Sequence, residues 1–353
     1  MTVLRRALTV PTVIILEILI LVYAPLLLVA AGLVAAGTGS TRPVRSTALV
    51  VAYAGIELST LLRLIRRDEP DWNAVLRDFL ARAYAAVKAI LDVRLVLEDG
   101  SATREQISTG NGLLVLARHC GPGDSLLIAW LLVVHYQLRL RVVLKSALRL
   151  EPTLDMAADH LPLCFVGHRG PRARSRIHDL AAAMSPGDAL LLFPEGANFS
   201  WPRWRRAVLA LYTAGAHGAA RRARRRTYTL PPHRGGAAAA LMGSPGADVL
   251  LLAHTGFAPD GRSRPWWRLP VHRELVVRTV LAPAATVPRD RETLAGWLDD
   301  AWAQVDSWVH SHAAPPADQG ACTRRRRLSP RPDVGDVEFT GRRPGRLPGP
   351  SHP

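Results

Sequence analysis

Two apolar runs that each end in a polar turn determine how this chain folds. Residues 113–124 read Leu-Leu-Val-Leu-Ala-Arg-His-Cys-Gly-Pro-Gly-Asp, and residues 189–196 read Ala-Leu-Leu-Leu-Phe-Pro-Glu-Gly. A short, wholly apolar run that stops at a turn is typical of a strand covered on both faces of a parallel sheet. Because ligands bind at the carboxyl ends of strands in open α/β sheets, these two turns are candidate site segments.

The segments around these runs continue the same alternation. Further short apolar runs cover 94–97, 140–144, 161–166 and 248–253, and amphipathic helical patterns cover 71–92, 125–137, 172–184, 203–218 and 288–310. Strands that alternate with helices indicate parallel pairing with helical crossovers. The sequence therefore predicts an α/β fold with a mostly parallel sheet flanked by helices.

The amino terminus is strongly apolar. Val10–Ala36 is interrupted by a single acid, Glu17, and exceeds the roughly 20 residues that cross a hydrocarbon core. A weaker run, 47–65, contains Glu57 and Arg63. The two runs predict an N-terminal membrane helical hairpin that spans or dips into the bilayer, with a cleaved signal peptide as the alternative. Flanking arginines favour the cell membrane with the α/β domain facing the cytoplasm.

The chain is thus expected to have three parts. Residues 1–68 form the membrane anchor, of one or two hydrophobic helices, and residues 69–312 form the α/β domain. Residues 313–353 are rich in Pro, Gly and Arg without apolar periodicity, which predicts a disordered basic tail. The tail either contacts anionic lipid or is simply solvated.

Composition narrows the class of protein. The 353 residues carry a net charge of +16, and 48% of them are hydrophobic, which excludes a disordered chain. Nearly all of the positive charge is arginine, which suits phosphate groups, although biased codon usage explains it equally well. The three cysteines lie far apart, so neither a disulfide framework nor a structural metal site is expected. Without interleaved aromatic residues, the basic tail does not indicate nucleic-acid binding.

His119 and Asp124 are the candidate catalytic pair. The Gly/Pro turn between them lets the Asp124 carboxylate reach back to the imidazole and fix its tautomer, which leaves the other ring nitrogen free as a base. The alternatives are an ordinary loop histidine and a helix-capping aspartate. Cys120 could act as a nucleophile activated by His119. However, the side chains of residues adjacent in sequence usually point in different directions, so general-base chemistry by His119 is favoured.

Taken together, these blocks resemble the glycerolipid acyltransferases typified by lysophosphatidic acid (1-acyl-sn-glycerol-3-phosphate) acyltransferase, in the larger, membrane-anchored branch of that family. The resemblance covers roughly residues 75 to 310. Its blocks are His119-x4-Asp124, Lys145 with Pro152 and Arg169, Phe193-Pro-Glu-Gly196, Leu230–Gly235 and the closing helix from Val287.

The resemblance implies acyl transfer from acyl-CoA or acyl carrier protein, as co-substrate and without a cofactor, to the hydroxyl of a lysophospholipid in the bilayer. His119 and Asp124 would be catalytic. The implied substrate-binding residues are Pro194, Glu195, Gly196, Arg169, Asn198 and Arg205.

The chain departs from the family on the acceptor side. Ala197 and Asn198 stand where the family commonly has Thr and Arg, and an amide cannot replace the bidentate grip of a guanidinium on phosphate. Another lysolipid or a glycolipid is therefore an alternative acceptor. A non-catalytic membrane protein that binds anionic lipid is the alternative from a different functional class.

Overall fold

The computed structural model describes residues 2–66, 71–107, 110–121, 123–167, 170–256, 269 and 271–312. The described residues form helices and strands in an alternating order. The helices are α1 (Thr2–Val22), α2 (Ala24–Thr38), α3 (Arg42–Arg66), α4 (Trp72–Leu91), α5 (Arg104–Ile107), α6 (Asp124–Trp130), α7 (Pro152–Ala157), α8 (Pro171–Ala182), α9 (Trp201–Thr213), α10 (His217–Arg225), α11 (Arg234–Gly243) and α12 (Arg291–His312). The strands are β1 (Val93–Leu97), β2 (Leu113–Ala117), β3 (Arg139–Lys145), β4 (Leu163–Val166), β5 (Asp188–Leu192), β6 (Asp248–His254) and β7 (Arg273–Ala282).

Within the described ranges, all of these strands belong to one sheet in the order β1-β7-β6-β2-β5-β3-β4. Every pairing is parallel except that of β6 with β7. The central strand β2 pairs with β5 on one side and with β6 on the other. The prediction of a mostly parallel α/β sheet with helical cover is therefore confirmed.

Helices cover both faces of the sheet. Leu113 and Val115 of β2 belong to a core on the side of α4 and α6, and Leu114 and Leu116 belong to a second core with α8, α11 and α12. Trp302 of α12 is wholly buried in the second core. Because both faces are packed, β2 is apolar at every position instead of alternating.

Several elements differ from their sequence-based prediction. No strand was predicted over β7, where Arg278 and Thr279 interrupt the apolar residues, and no helix was predicted over α7 or α11. The helix predicted over 125–137 is α6 followed by a π-helical turn over Leu131–His135. The helix predicted over 203–218 is two helices, α9 and α10, joined by a short turn.

The amino-terminal segment contains three helices instead of a hairpin of two. The apolar run Val10–Ala36 is divided at Tyr23, where α1 and α2 meet at an angle of 61°. The break precedes Pro25, whose ring has no N–H to donate and crowds the preceding turn. Helices α1 and α2 are long and apolar enough to cross a membrane only if they are counted together as one bent span. Helix α3 is long and apolar enough to cross a membrane by itself.

Helix α3 lies along α4 rather than apart from it. The Arg45 guanidinium donates to the carbonyl of Ile90 at 2.6 Å near one end of α4, and Arg63 pairs with Asp78 at 3.1 Å near the other. Helix α1 in turn contacts α7 through Arg5, whose guanidinium meets the buried Asp155 carboxylate at 2.7 Å. Helices α1 and α3 are therefore both fastened to elements of the α/β part of the chain.

Candidate active site

The candidate site is formed where β2 and β5 end. His119 follows β2, and its Nδ1 lies 3.1 Å and 3.2 Å from the two carboxylate oxygens of Asp124, the first residue of α6. Since a carboxylate only accepts, Nδ1 carries the proton in the neutral ring and Nε2 is its free base. The imidazole also rests on the ring of Phe193, with 4.6 Å between the ring centroids.

Asp124 is almost fully buried and held by several donors. Burial disfavours its charge, but hydrogen bonds from His119 and from the backbone N–H of Gly121 outweigh burial, and the pKa of the carboxyl is lowered. The backbone N–H of Cys120 donates to it as well, at 2.7 Å. The N–H groups of Cys120 and Gly121 are therefore occupied, and they are not donors for an oxyanion in the substrate.

Glu195 fixes the main chain around His119. Its Oε1 accepts from the backbone N–H of His119 at 3.0 Å, and its Oε2 accepts from the N–H of Leu230 at 2.8 Å. Burial raises the pKa of this carboxyl to about 7, although the charge of Arg118 and the two N–H donors act in the opposite direction. The turn closes at Gly196, whose φ of 65° is left-handed and favours glycine.

A cavity of about 1140 Å³ opens beside His119. Its walls are mainly apolar side chains of α4, α6, β3 and β4, among them Phe79, Leu126, Leu140 and Leu163. Pro194 and Gly196 of the turn line it too. A pocket of this size and polarity suits a long hydrocarbon chain with its reactive end at the imidazole.

Cationic side chains line the same cavity. They are Lys145 at the end of β3, Arg174 of α8 and Arg234 of α11. Arg234 is paired with Asp299 at 2.8 Å, while Lys145 and Arg174 have no hydrogen bond or ion pair from their side chains within the part of the chain that is described. The stem of Arg174 lies against Gly235, next to Arg234.

The remaining residues expected at the acceptor site are placed differently. Asn198 is half-buried outside the cavity lining, and its carbonyl accepts from Arg203 at 3.1 Å. Arg205 is exposed on α9 and also lies outside the lining. Arg169 lies outside the described residues. Pro194, Glu195 and Gly196 are thus brought next to His119 and Asp124, and Asn198 and Arg205 are not part of the cavity wall.

The thiol of Cys120 is buried beneath the site. Burial raises its pKa, and its sulfur faces Gly256 so closely that a Cβ at that glycine would lie 2.5 Å away. A nucleophilic cysteine requires an accessible thiolate. The geometry therefore favours general-base chemistry by His119 over covalent catalysis by Cys120. Within the described ranges, no group of three or more His, Cys, Asp or Glu side chains could hold a metal ion.

Two residues beneath the site were not predicted from the sequence. Arg118 and His254 are completely buried at the ends of β2 and β6. Each is a charged or titratable residue that directly ends an apolar run, which was the available signal. Arg118 and His254 contact each other because β2 and β6, which are far apart in the sequence, are neighbours in the sheet. The sequence alone did not reveal this contact.

A protein-family model matches one segment of the chain that contains the candidate site. Residues 101–249 match the model of the family described as Acyltransferase, and the matched segment includes His119, Asp124 and Glu195. The chain therefore carries an acyltransferase-family domain, which confirms the resemblance and supports a general acyltransferase activity. Searches of curated proteins and of solved structures found no match to this chain.

Proposed function

We propose that the protein transfers an acyl group from an acyl thioester, acyl-CoA or acyl carrier protein, to the hydroxyl of a lysophospholipid such as 1-acyl-glycerol 3-phosphate. One observation carries the proposal: the His119–Asp124 pair opens onto a large, mainly apolar cavity within an acyltransferase-family domain. We expect the cavity to hold the acyl chains of the substrates. Because His119 lines the cavity, its imidazole can contact the acceptor hydroxyl when that group lies next to the thioester.

The reaction steps follow from the tautomer of His119 and its hydrogen bond to Asp124. The acceptor hydroxyl oxygen attacks the thioester carbonyl carbon while Nε2 of His119 takes the hydroxyl proton. Asp124 accepts from Nδ1–H, holds the ring in this tautomer and stabilises the imidazolium. When the tetrahedral intermediate collapses, the C–S bond breaks and the imidazolium returns its proton to the leaving thiolate. The products are an ester and a free thiol.

The first test compares two histidine–aspartate pairs in the same chain. His178 and Asp179 of α8 are exposed and 3.2 Å apart, so they match the candidate pair chemically but lie outside the cavity. With radiolabelled palmitoyl-CoA and a panel of lysolipids, His119→Ala and Asp124→Asn should each lower kcat/KM by about 10²–10⁴-fold. His178→Ala and Asp179→Asn should leave turnover unchanged. Equal turnover by wild type and His119→Ala would contradict the mechanism.

For the acceptor, we propose that Lys145 and Arg174 bind its anionic group. In the family this group is commonly bound by an arginine at the position where this chain has Asn198. Both cations line the cavity without a partner from their own chain in the described part, whereas Asn198 is outside it. Both residues are exposed to solvent at the cavity lining, and a cationic side chain in that position can bind an anionic group such as a phosphate ester. A lysolipid acceptor with a phosphate headgroup is therefore favoured over a neutral one.

Charge removal tests this assignment. Lys145→Gln and Arg174→Gln should each raise KM for lysophosphatidic acid by about tenfold with little change in kcat, since they remove binding that is not specific to the transition state. KM for the neutral acceptor monoacylglycerol should not change. Arg172→Gln is the control, because Arg172 lies on the same helix, exposed and outside the cavity lining. An equal rise in KM for both acceptors would contradict the assignment, because it would show that Lys145 and Arg174 do not recognise the phosphate.

We further propose that α1 and α2 attach the protein to the cell membrane, with the α/β domain facing the cytoplasm. Their exposed surface is strongly apolar, with Ile15, Leu26 and Leu33 between 58% and 72% exposed. Large exposed apolar patches mark protein or membrane contact. Because Arg5 pairs with Asp155, the amino terminus lies on the same side as the α/β domain, which agrees with the positive-inside rule.

Vesicle flotation tests the membrane surface. Leu26→Glu combined with Leu33→Glu should release the protein from vesicles of phosphatidylcholine with phosphatidylglycerol, since each charge costs about 2–3 kcal/mol in a hydrocarbon core. Leu209→Glu is the matched control, an exposed leucine on α9. Continued flotation of the double variant would contradict this assignment. His119→Ala should float like the wild type and lose acyl transfer, which would separate attachment from catalysis. Lipid binding without turnover in the wild type would instead favour the non-catalytic alternative.

A further inference from the structure

Beneath the His119–Asp124 pair lies a reciprocal pair of buried side chains that the mechanism does not use. Nη1 of Arg118 donates to the carbonyl of His254 at 2.7 Å, and Nε2 of His254 lies 2.9 Å from the carbonyl of Arg118. A carbonyl only accepts, so Nε2 of His254 bears the proton. The two residues thereby join the ends of β2 and β6, where Ala117 pairs with Leu252.

The protonated edge of His254 also faces the catalytic carboxylate. Its Nε2 is 3.8 Å from Oδ2 of Asp124, which is too long for a hydrogen bond but close enough for a dipole to act on a buried charge. Burial lowers the pKa of His254 to about 4, with the charges of Arg118 and His119 acting in the same direction and Asp124 against it. The ring is therefore neutral at physiological pH, and its N–H is a fixed dipole.

We propose that His254 is a positioning residue that holds the Arg118 peptide, and with it the main chain of His119, and weakens the negative field of Asp124 at the His119 ring. The peptide it bonds is the one immediately before His119. That main chain is held from two further directions, because the His119 N–H donates to Glu195 and the His119 carbonyl accepts from Phe199 at 3.1 Å. His254 supplies the contact from β6.

Other charged or titratable groups also face this region. The Arg118 guanidinium approaches from the end of β2 and donates to the carbonyl of Tyr228 as well. Glu195 approaches from the turn after β5, and the Cys120 thiol from the turn before α6. A substitution at His254 leaves all of these groups in the chain, so a change in the behaviour of His119 can be assigned to the lost N–H.

The test measures protonation of His119 without requiring catalysis. Diethyl pyrocarbonate modifies neutral imidazole, and mass spectrometry of the peptide containing His119 gives the pH midpoint of its modification. Removing the N–H dipole near Asp124 favours the imidazolium form of His119. His254→Asn, which shortens the side chain and loses the bond to Arg118, should therefore raise the midpoint by about half a pH unit. His254→Gln, whose amide N–H can reach the Nε2 position, should leave it unchanged.

Two further variants complete the design. His254→Leu is a second form without the donor and should give the same rise as His254→Asn. Leu251→Ala on the same strand packs in the core of the opposite face, so it should lower stability without moving the midpoint. An unchanged midpoint in the donor-free variants, or an equal rise in His254→Gln, overturns the proposal. If neither donor-free variant folds, the role of His254 is only structural, and the proposal is overturned as well.

The kinetic consequence rests on the proposed function. With palmitoyl-CoA and lysophosphatidic acid, the acid limb of the pH profile of kcat/KM should move upward with the modification midpoint in His254→Asn, and KM should stay constant. His254→Gln should restore the wild-type profile. If the wild type acylates no acceptor, the proposed function fails, while the modification midpoints still decide whether His254 acts on His119.

Discussion

At the scale of single residues, Glu195 was expected to bind the acceptor, but its carboxylate is directed at the main chain. Both of its oxygens are occupied by backbone N–H groups, and its side chain does not line the cavity. Its contact with substrate stays a prediction. What the geometry supports is an indirect contribution, because the carboxylate joins the turn after β5 to the peptide of His119 and to Leu230.

The raised pKa of Glu195 predicts a pH dependence of stability. Its pKa is about 7 in the folded protein against an ordinary value of 4.5, so folding favours the protonated form. This contribution is complete below pH 4.5 and is lost as the pH rises to about 7. In detergent, the wild type should lose roughly 2–4 kcal/mol over this window that Glu195→Gln does not lose. Thermal midpoints of both proteins between pH 4.5 and 8 measure the difference. Parallel curves would contradict it.

His254 predicts the opposite slope. Its pKa is lowered to about 4, so a neutral buried ring stabilises the fold above pH 6.5, and this contribution is lost as the pH falls toward 4. The His254→Gln protein lacks the titrating group and should lose less stability on acidification. Denaturant unfolding at pH 7 and pH 5 measures the change, with His178→Ala on the surface as the control.

At the scale of elements, the contact of α1 with α7 depends on one buried acid. The Asp155 carboxylate is completely buried and receives Arg5 at 2.7 Å, Arg6 at 3.1 Å and Arg149 at 3.3 Å. Burial disfavours its charge, but the arginines outweigh burial, and its pKa is lowered. Removing this anion leaves Arg5 and Arg149 without an ion-pair partner among the described residues, whereas Arg6 keeps Asp159 at 2.6 Å.

Neutralising Asp155 should therefore loosen α1. The arginines are partly exposed, so we expect Asp155→Asn to weaken the contact by about 1–3 kcal/mol, less than a fully buried pair would lose. Amide hydrogen exchange in α1 should become faster, while β2 and β5 stay protected. Asp159→Asn is the control, because Asp159 pairs with Arg6 but is half exposed. Unchanged exchange in α1 would show that apolar contacts alone hold it.

The elements differ in how far the sequence predicted them. The strands β2, β5 and β6 are apolar without interruption because both faces are covered, and their positions were predicted within one residue or so. The edge-proximal β7 mixes exposed and buried positions, with Arg278 in its middle, and resembles no simple pattern. The division of Val10–Ala36 lies next to Pro25, whereas Pro11 lies inside α1 without ending that helix. The presence of a proline in the apolar run therefore did not by itself locate the break.

The parts of the site that could be predicted from the sequence are those set by a local turn or by the pairing of two apolar strands. The approach of Asp124 to His119 follows from the turn between them, and the nearness of Glu195 follows from the pairing of β2 with β5. The cavity cations come from different helices, Arg174 on α8 and Arg234 on α11. Which of many arginines faces a cavity depends on helix packing, and no local pattern specifies it.

At the scale of the whole molecule, attachment, catalysis and tail are expected to be separable. The family match ends at residue 249, well before the basic tail that the sequence predicts from residue 313. Deleting residues 313–353 should therefore keep acyl transfer within about twofold of the full-length protein. Turnover in vesicles without anionic lipid measures this, and a large loss there would assign the tail a role in the reaction. Reduced flotation on anionic vesicles alone would assign it to lipid binding.

The strand order has a consequence for how the chain can be made in the cell. The central β2 lacks both neighbours until β5 and β6 have left the ribosome, and β1 waits for β7, which ends at Ala282. Contacts this distant along the chain form late. The apolar helices α1 and α2 emerge before all of these strands, and long before Asp155 is available to receive Arg5. Synthesis therefore exposes a hydrophobic segment while no folded surface can yet cover it, and early delivery of the nascent chain to a lipid surface would protect this segment from aggregation.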